Sequence, residues 1–385
     1  METRKLYYED CHLTEFTAMV QNCRKTEKGW EIILDATAFY PEGGGQDCDL
    51  GVLGGSEVLH VREAGEQVIH LCNAPLPVGE EVTGKLCWER RFDLMQQHTG
   101  EHIVSGIIHR LYGWHNVGFH VGAETVTIDF DGPVPEPMLE EIQRQANEAV
   151  WKNLPVKCWY PSPEELPRVG YRTKKDLPWP VRVVEISGYD KCACCGVHTA
   201  YTGEIGLIKF ISCVKFHQGV RIEMVCGARA LATVNRIWEQ NRKISQLLSA
   251  KLPETAGAVE ALKDSLTKEK SKTVQLKRRI FRTIAESYAG KKNVLHMEQG
   301  LDAGEVRELA DAIGQVCDGI AVVASGEDEQ GYSLCLISRT VDVRALGKAA
   351  FGTLNGRGGG RADAVQGNVK ETEARIRDFF DAQLV

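Results

Sequence analysis

The chain has no stretch approaching the roughly 20 consecutive apolar residues of a membrane span. Its first residues, Met1-Glu-Thr-Arg-Lys-Leu-Tyr-Tyr8, carry no apolar segment of the kind a secretory signal needs, so a cytoplasmic protein is expected. It also lacks a disulfide framework: its 13 cysteines are odd in number and follow no small-domain spacing, which favours reduced thiols. Positive charge is not in excess. A formal net charge of −7 excludes a uniformly basic nucleic-acid coat and leaves only local basic patches for such contacts. No long internal repeat is present. What remains is ordinary globular material, 43% hydrophobic and 26% charged, and 385 residues suffice for two or three cores.

Hydrophobic periodicity divides the chain into four parts. Residues 1–88 read as short strands, such as Trp30–Asp35 and Glu81–Trp88, separated by glycine-rich breaks, and suit a small β-barrel. Residues 89–228 read as an α+β sandwich. Helices are predicted over Arg91–Leu111 and Glu136–Asn153, and strands over Glu124–Phe130, Val181–Ile186, Gly206–Ser212 and Val220–Val225. Residues 229–290 step by four and three through Ala230, Val234, Ile237, Asn241, Ile244 and Leu248, break at Pro253 and resume, as a helical coiled-coil arm does. Its second half is basic, from Lys268 to Arg282, which a solvated helix face explains slightly better than RNA contact. Residues 291–385 alternate strand and helix around a glycine-rich segment, Gly352–Asp363, and read as an α/β domain.

The chemistry concentrates in two short motifs. His98-Thr-Gly-Glu-His102 spaces two imidazoles one helical turn apart on one face. Far downstream, Cys194-Cys-Gly-Val-His198 offers a thiolate and a third imidazole. Together these are zinc-type ligands, and a catalytic zinc keeps a position open for water or substrate. Cys192 and Cys195 complicate the set, either as flanking thiols or as replacements for Cys194 in a structural knuckle. The same first motif also fits the inverted zinc-peptidase pattern His-x-x-Glu-His, with Glu101 as general base and a downstream glutamate as third ligand; that reading leaves Cys194 and His198 without a role. Gly43, Gly44 and Gly45 permit close approach of backbone to a ligand, although for such a triplet taken alone a plain hairpin turn is the favoured reading. Around Arg357 and Arg361, the tail glycines suit a phosphate cradle, a looser RNA contact or a mobile loop.

Taken in order, these segments resemble the editing half of alanyl-tRNA synthetase and its free-standing AlaX relatives. The resemblance rests on Asp35-Ala-Thr-Ala-Phe-Tyr-Pro-Glu-Gly-Gly-Gly-Gln46, on Gln97–His102, on Ala193–His198 and on Thr202–Gly206 with Gly219–Glu223. It extends to Gly356–Asp363 of the tail. Two positions depart from the pattern: Cys195 stands where the family commonly has glycine, and Val197 where it has threonine. No counterpart of the synthetase's activation domain is expected. The resemblance implies the long AlaX form, which hydrolyses mischarged tRNA(Ala) in trans, Ser-tRNA(Ala) chiefly and Gly-tRNA(Ala) second. It implies one zinc ion held by His98, His102, Cys194 and His198. Thr37 and Gln46 would be polar groups around the aminoacyl moiety, with Gly43, Gly44 and Gly45 beside it. Arg357 and Arg361 would meet the tRNA, and a homodimer would form through the arm or the tail. The rival outside enzymology is a tRNA-binding module with a structural zinc.

Overall fold

The computed structural model describes residues 2–173 and 179–384 and is a mixed α+β protein. The chain folds into two compact units, Met1–Lys243 and Ile244–Val385. In the first unit, six antiparallel strands form a closed barrel. Their order is Glu15–Thr26, Gly29–Leu34, Gln67–Cys72, Ser56–Ala64, Gly51–Leu53 and Glu81–Leu86, which pairs back onto Glu15–Thr26. Closure leaves no unpaired edge. Alternate residues point inward, as strand geometry requires: Phe16, Ala18 and Val20 from one strand meet Ile32, Leu34, Val82 and Leu86 from its neighbours.

Next to the barrel in sequence comes the Trp88–Tyr112 helix, which ends at Gly113 in the left-handed conformation (φ +74°). Leu94, Ile103, Val104, Ile107 and Ile108 of this helix share a core with the Glu136–Trp151 helix and with an antiparallel sheet. That sheet runs in the order Ile208–Phe216, Gly219–Cys226, Val126–Phe130, Asn116–Val121. A smaller sheet of Val156–Trp159, Val183–Ile186 and Asp190–Ala193 delivers the chain directly into the second cysteine–histidine motif. The motif-bearing helix is buried on nearly all sides between Leu94 and Ile108, which is unusual for a segment as polar as Gln96-Gln-His-Thr-Gly-Glu-His102. Buried polar groups require partners, and those partners form the site.

The helix is fixed to the chain that follows the barrel's second strand by a buried ion pair. Arg91 Nε lies 3.0 Å from Asp49 Oδ1, its Nη2 donates to Ala38 O at 2.5 Å, and both side chains are essentially inaccessible. This pair holds the Ala38–Asp49 turn against the start of the helix.

The Gly227–Leu248 helix continues past the boundary between the units. In the second unit the Thr255–Glu286 helix carries an exposed apolar row including Val259, Leu262 and Leu266. Its basic residues are partly matched: Lys277 pairs with Glu305, and Arg278 with Glu308, both on the Ala303–Gly314 helix. A five-stranded sheet follows, in the order Val294–Glu298, Ile320–Glu327, Gly331–Ser338, Ala364–Val369, Arg357–Gly360. The glycine-rich tail segment is therefore no loop: Arg357-Gly-Gly-Gly360 is an edge strand. It sits close against Phe351, where side chains at Gly358 or Gly356 would collide.

Candidate metal centre

His98, His102, Cys194 and His198 converge, and their ligand atoms all lie within 4.8 Å of one another. Cys194 Sγ is 3.4 Å from His98 Nε2. Nitrogen and sulfur ligands on one tetrahedral zinc stand roughly 3.5 Å apart, given Zn–N and Zn–S bonds of about 2.0 and 2.3 Å. His198 Nε2 is buried and has no hydrogen-bond partner, an orphan that a metal would satisfy. Three imidazoles and a thiolate thus fit a zinc ion in number, type and spacing. No glutamate joins the group among the described residues, so the ligand set a zinc peptidase of the inverted type needs is not assembled.

The three imidazoles are oriented from behind. Gln46 Oε1 accepts from His98 Nδ1 at 2.7 Å. Asp190 Oδ2 takes His102 Nδ1 at 2.8 Å, and Arg172 Nε in turn holds Asp190 at 2.7 Å. Thr99 Oγ1 lies 3.3 Å from His198 Nδ1. Each contact leaves an Nε2 free to face the centre, the arrangement by which outer groups fix ring orientation in metal sites. Gly196 must be glycine, because a Cβ there would stand 2.1 Å from His98 Cε1. Arg182 Nη1 donates to Cys194 O and Gly196 O, both at 2.9 Å, and Tyr8 donates to Cys195 O at 2.5 Å, so the ligand loop is held from both sides.

Electrostatics follow from these contacts. Burial opposes a charged Cys194, but His98 and His102 hold its thiol well below the usual range. His102 is pushed well above its ordinary value: burial works against the charge, while Cys194, Asp190 and Glu101 outweigh it. Burial and the neighbouring His98 depress His198 to about 3. The Cys194 thiolate and the neutral His198 imidazole are the forms that bind metal, whereas His102 would have to release its proton to do so.

The cluster opens on a cavity of about 580 Å³, whose lining includes His98, His102, Cys194, Glu101, Phe119 and Arg182. That volume suits a small-molecule or terminal-nucleoside ligand. Of the three glycines, only Gly44 lines it. Gly44 has φ +61°, and a Cβ there would press on Cys195 Sγ at 3.1 Å. Gly43 and Gln46 close the turn by reciprocal backbone hydrogen bonds of 3.0 Å, and Gly45 (φ +83°) packs on Phe119. The triplet therefore forms a hairpin turn, with Gly44 at the cavity wall.

Thr37 lies elsewhere. It is fully buried, 2.8 Å from His70 Nε2, and does not line the cavity. Cys192 and Cys195 both line the cavity, Cys192 as a buried thiol beside His102 and Asp190. Arg357 and Arg361 belong to the second unit. Arg357 borders a cavity of about 440 Å³ with Arg344 and Lys348, and Arg361 is exposed beside Asp363. Sequence reasoning missed Asp190, Arg172, Thr99 and Arg182. Only the position of Asp190 four residues before Cys194 offered any signal.

Three family models match parts of the chain. They are tRNA synthetases class II (A) over residues 2–90, the threonyl and alanyl tRNA synthetase second additional domain over 181–223, and the DHHA1 domain over 290–384. The alanyl-tRNA editing protein Aarsd1-A of Xenopus laevis is 28% identical over 95% of this chain and 94% of its own length. The alanyl-tRNA editing protein AlaX-L of Pyrococcus horikoshii is 28% identical over 99% of this chain and 97% of its own. Alanine–tRNA ligase of Pyrococcus abyssi is 33% identical over 96% of this chain, which spans only 42% of that ligase.

Proposed function

The chain belongs to the AlaX type of alanyl-tRNA editing protein, and on that premise we propose that it hydrolyses the ester bond of mischarged tRNA(Ala) with the help of one zinc ion. The observation that carries the proposal is the three-imidazole, one-thiolate cluster on the wall of an open cavity. Water adds to the ester carbonyl, and the products are the free amino acid and the ribose hydroxyl of the tRNA terminus. A bound zinc would supply Lewis acidity at that carbonyl or at the water. His98, His102, Cys194 and His198 would hold it. Gln46, Asp190 and Thr99 fix the rings, Arg182 and Tyr8 fix the loop, and Gly44 lets the 43–46 turn close over the cavity without a side chain.

Serine and glycine are the expected misacylated residues. A synthetase pocket built for alanine rejects neither a smaller residue nor one that merely adds a hydroxyl. Ser-tRNA(Ala) is assigned as the main substrate and Gly-tRNA(Ala) as the second. Thr37, braced on His70, supports the 35–46 segment rather than touching substrate. The second unit is assigned to tRNA contact, with Arg357 and Arg361 meeting phosphates, and to homodimer formation, to which the exposed apolar row of the Thr255–Glu286 helix lends itself. The test is release of labelled serine from Ser-tRNA(Ala) by wild type and Cys194→Ala, with Ala-tRNA(Ala) as control. Release that is fast in wild type, lost in the variant and absent on the control supports the proposal. Equal hydrolysis of Ser-tRNA(Ala) and Ala-tRNA(Ala) contradicts it.

A further inference from the structure

Two acceptors beside the metal cluster remain unused. Glu101 is 5% exposed and lines the cavity. Its Oε1 is taken by Ser105 Oγ and Asn116 Nδ2, which fix the carboxylate in one orientation. Among the described residues no hydrogen bond reaches its Oε2: the nearest basic atom is His102 Nε2 at 4.0 Å, a nitrogen of the metal ligand set, and Arg172, which also lines the cavity, acts on the carboxylate only at longer range. Asn116, 3% exposed, also lines the cavity, and its Oδ1 is a buried acceptor without a partner. The amide cannot be turned to cure this, because its carbonyl would then face the Glu101 carboxylate. The other carboxylate lining the cavity, Glu63, is matched by Lys5 at 2.5 Å. One negative charge and one neutral acceptor, both buried and both uncommitted, call for a cation that donates several hydrogen bonds.

We propose that Glu101 and Asn116 bind the α-ammonium group of the aminoacyl ester. The inference rests on the editing reading and sharpens its substrate class: the acyl group must carry a free primary amine. An ammonium has three donors, enough for Glu101 Oε2 and Asn116 Oδ1 together. It sits two bonds from the ester carbonyl carbon, so holding it beside the cluster fixes where that carbonyl falls. Serine, glycine and alanine esters all carry this group, so it anchors the acyl moiety in the site and leaves the sparing of Ala-tRNA(Ala) to contacts at the side chain. Glu101 acts here in binding, and the carboxylate that suggested a peptidase base is accounted for without one.

The experiment compares Ser-tRNA(Ala) with its α-hydroxy counterpart, made by deaminating the seryl group with nitrous acid. Kinetics are measured for wild type, Glu101→Gln and Asn116→Ala, with metal content determined on the same preparations. Wild type prefers the amino ester. Glu101→Gln is isosteric, keeps the volume and puts a donor where the acceptor was. It lowers the ratio of kcat/KM, amino over hydroxy, about ten- to a hundred-fold, chiefly through KM on the amino ester. Asn116→Ala shifts the ratio in the same direction. A Glu101→Gln protein that slows equally on both esters, or on neither, overturns the inference while leaving the editing reading intact. A wild type that cleaves neither ester overturns both.

Discussion

Replacing Arg91 by Met is the sharpest test of how the fold sets up the site. Arg91 is fully buried. Its guanidinium meets Asp49 through Nε at 3.0 Å, Ala38 O at 2.5 Å and Cys11 O at 3.3 Å. The methionine fills most of the volume but strands the Asp49 carboxylate, which keeps only the Tyr40 backbone N–H at 2.6 Å. Leaving one buried charge uncompensated costs about 3–5 kcal/mol. The double variant Arg91→Met with Asp49→Leu removes both charges and regains most of that loss, because an apolar replacement of a buried pair is often near neutral. Urea titration of the three variants against wild type, followed by a probe confined to the first unit such as tryptophan fluorescence of that unit, reads the coupling. Zinc affinity follows the same order, since the pair holds the turn that carries Gln46 to His98. Single variants costing under about 1 kcal/mol, or a double variant as unstable as the sum of the singles, would refute the reasoning.

Three further outcomes are expected. Gln46→Leu and Asp190→Asn each weaken zinc binding about ten- to a hundred-fold in competition with a chelator, because each releases an imidazole that it orients; unchanged affinity in both would separate these residues from the metal. His70 is held down to about 4 by burial, which outweighs its bond to Ile32 O. Its folded value lies below the roughly 6.5 of the unfolded chain, so between those values the unfolded state binds the extra proton. Stability therefore falls as pH drops through that window, by up to about 3 kcal/mol, and His70→Gln, compared by urea midpoint between pH 7 and 4.5, shows a shallower fall. Gly196→Ala displaces His98 and yields protein with substoichiometric zinc, checked by elemental analysis.

The candidate metal cluster was legible because its chemistry is written in local spacing: His98 and His102 one turn apart, Cys194 and His198 four residues apart. The helices and most strands of the first unit were legible from periodicity for the same reason. What orients the ligands was not. His102 and Asp190 are 88 residues apart, and Thr99 and His198 are 99 apart, so only the fold brings them together. Thr37 reads as a substrate contact because it lies in a glycine-rich, motif-like segment; its 2.8 Å contact with His70 Nε2, 33 residues away, carries no local signal. The tail glycines read as a loop by composition, but pairing of Arg357–Gly360 with Ala364–Val369 makes them a strand, with space for Phe351 where side chains would stand. Glu101 stood out in the sequence only under the rival peptidase reading, as a general base. Asn116, fifteen residues away, supplies the contact that changes its meaning.

The central claim is that the cluster of His98, His102, Cys194 and His198 makes this chain a metal-dependent deacylase. The most direct measurement strips the protein of metal, returns zinc in fractions of an equivalent, and follows serine release from Ser-tRNA(Ala) at each step. The account predicts activity that rises in proportion to bound zinc and saturates at one ion per chain, with Ala-tRNA(Ala) spared throughout. Full activity in the stripped protein, or zinc bound at one equivalent with no release at all, would contradict it.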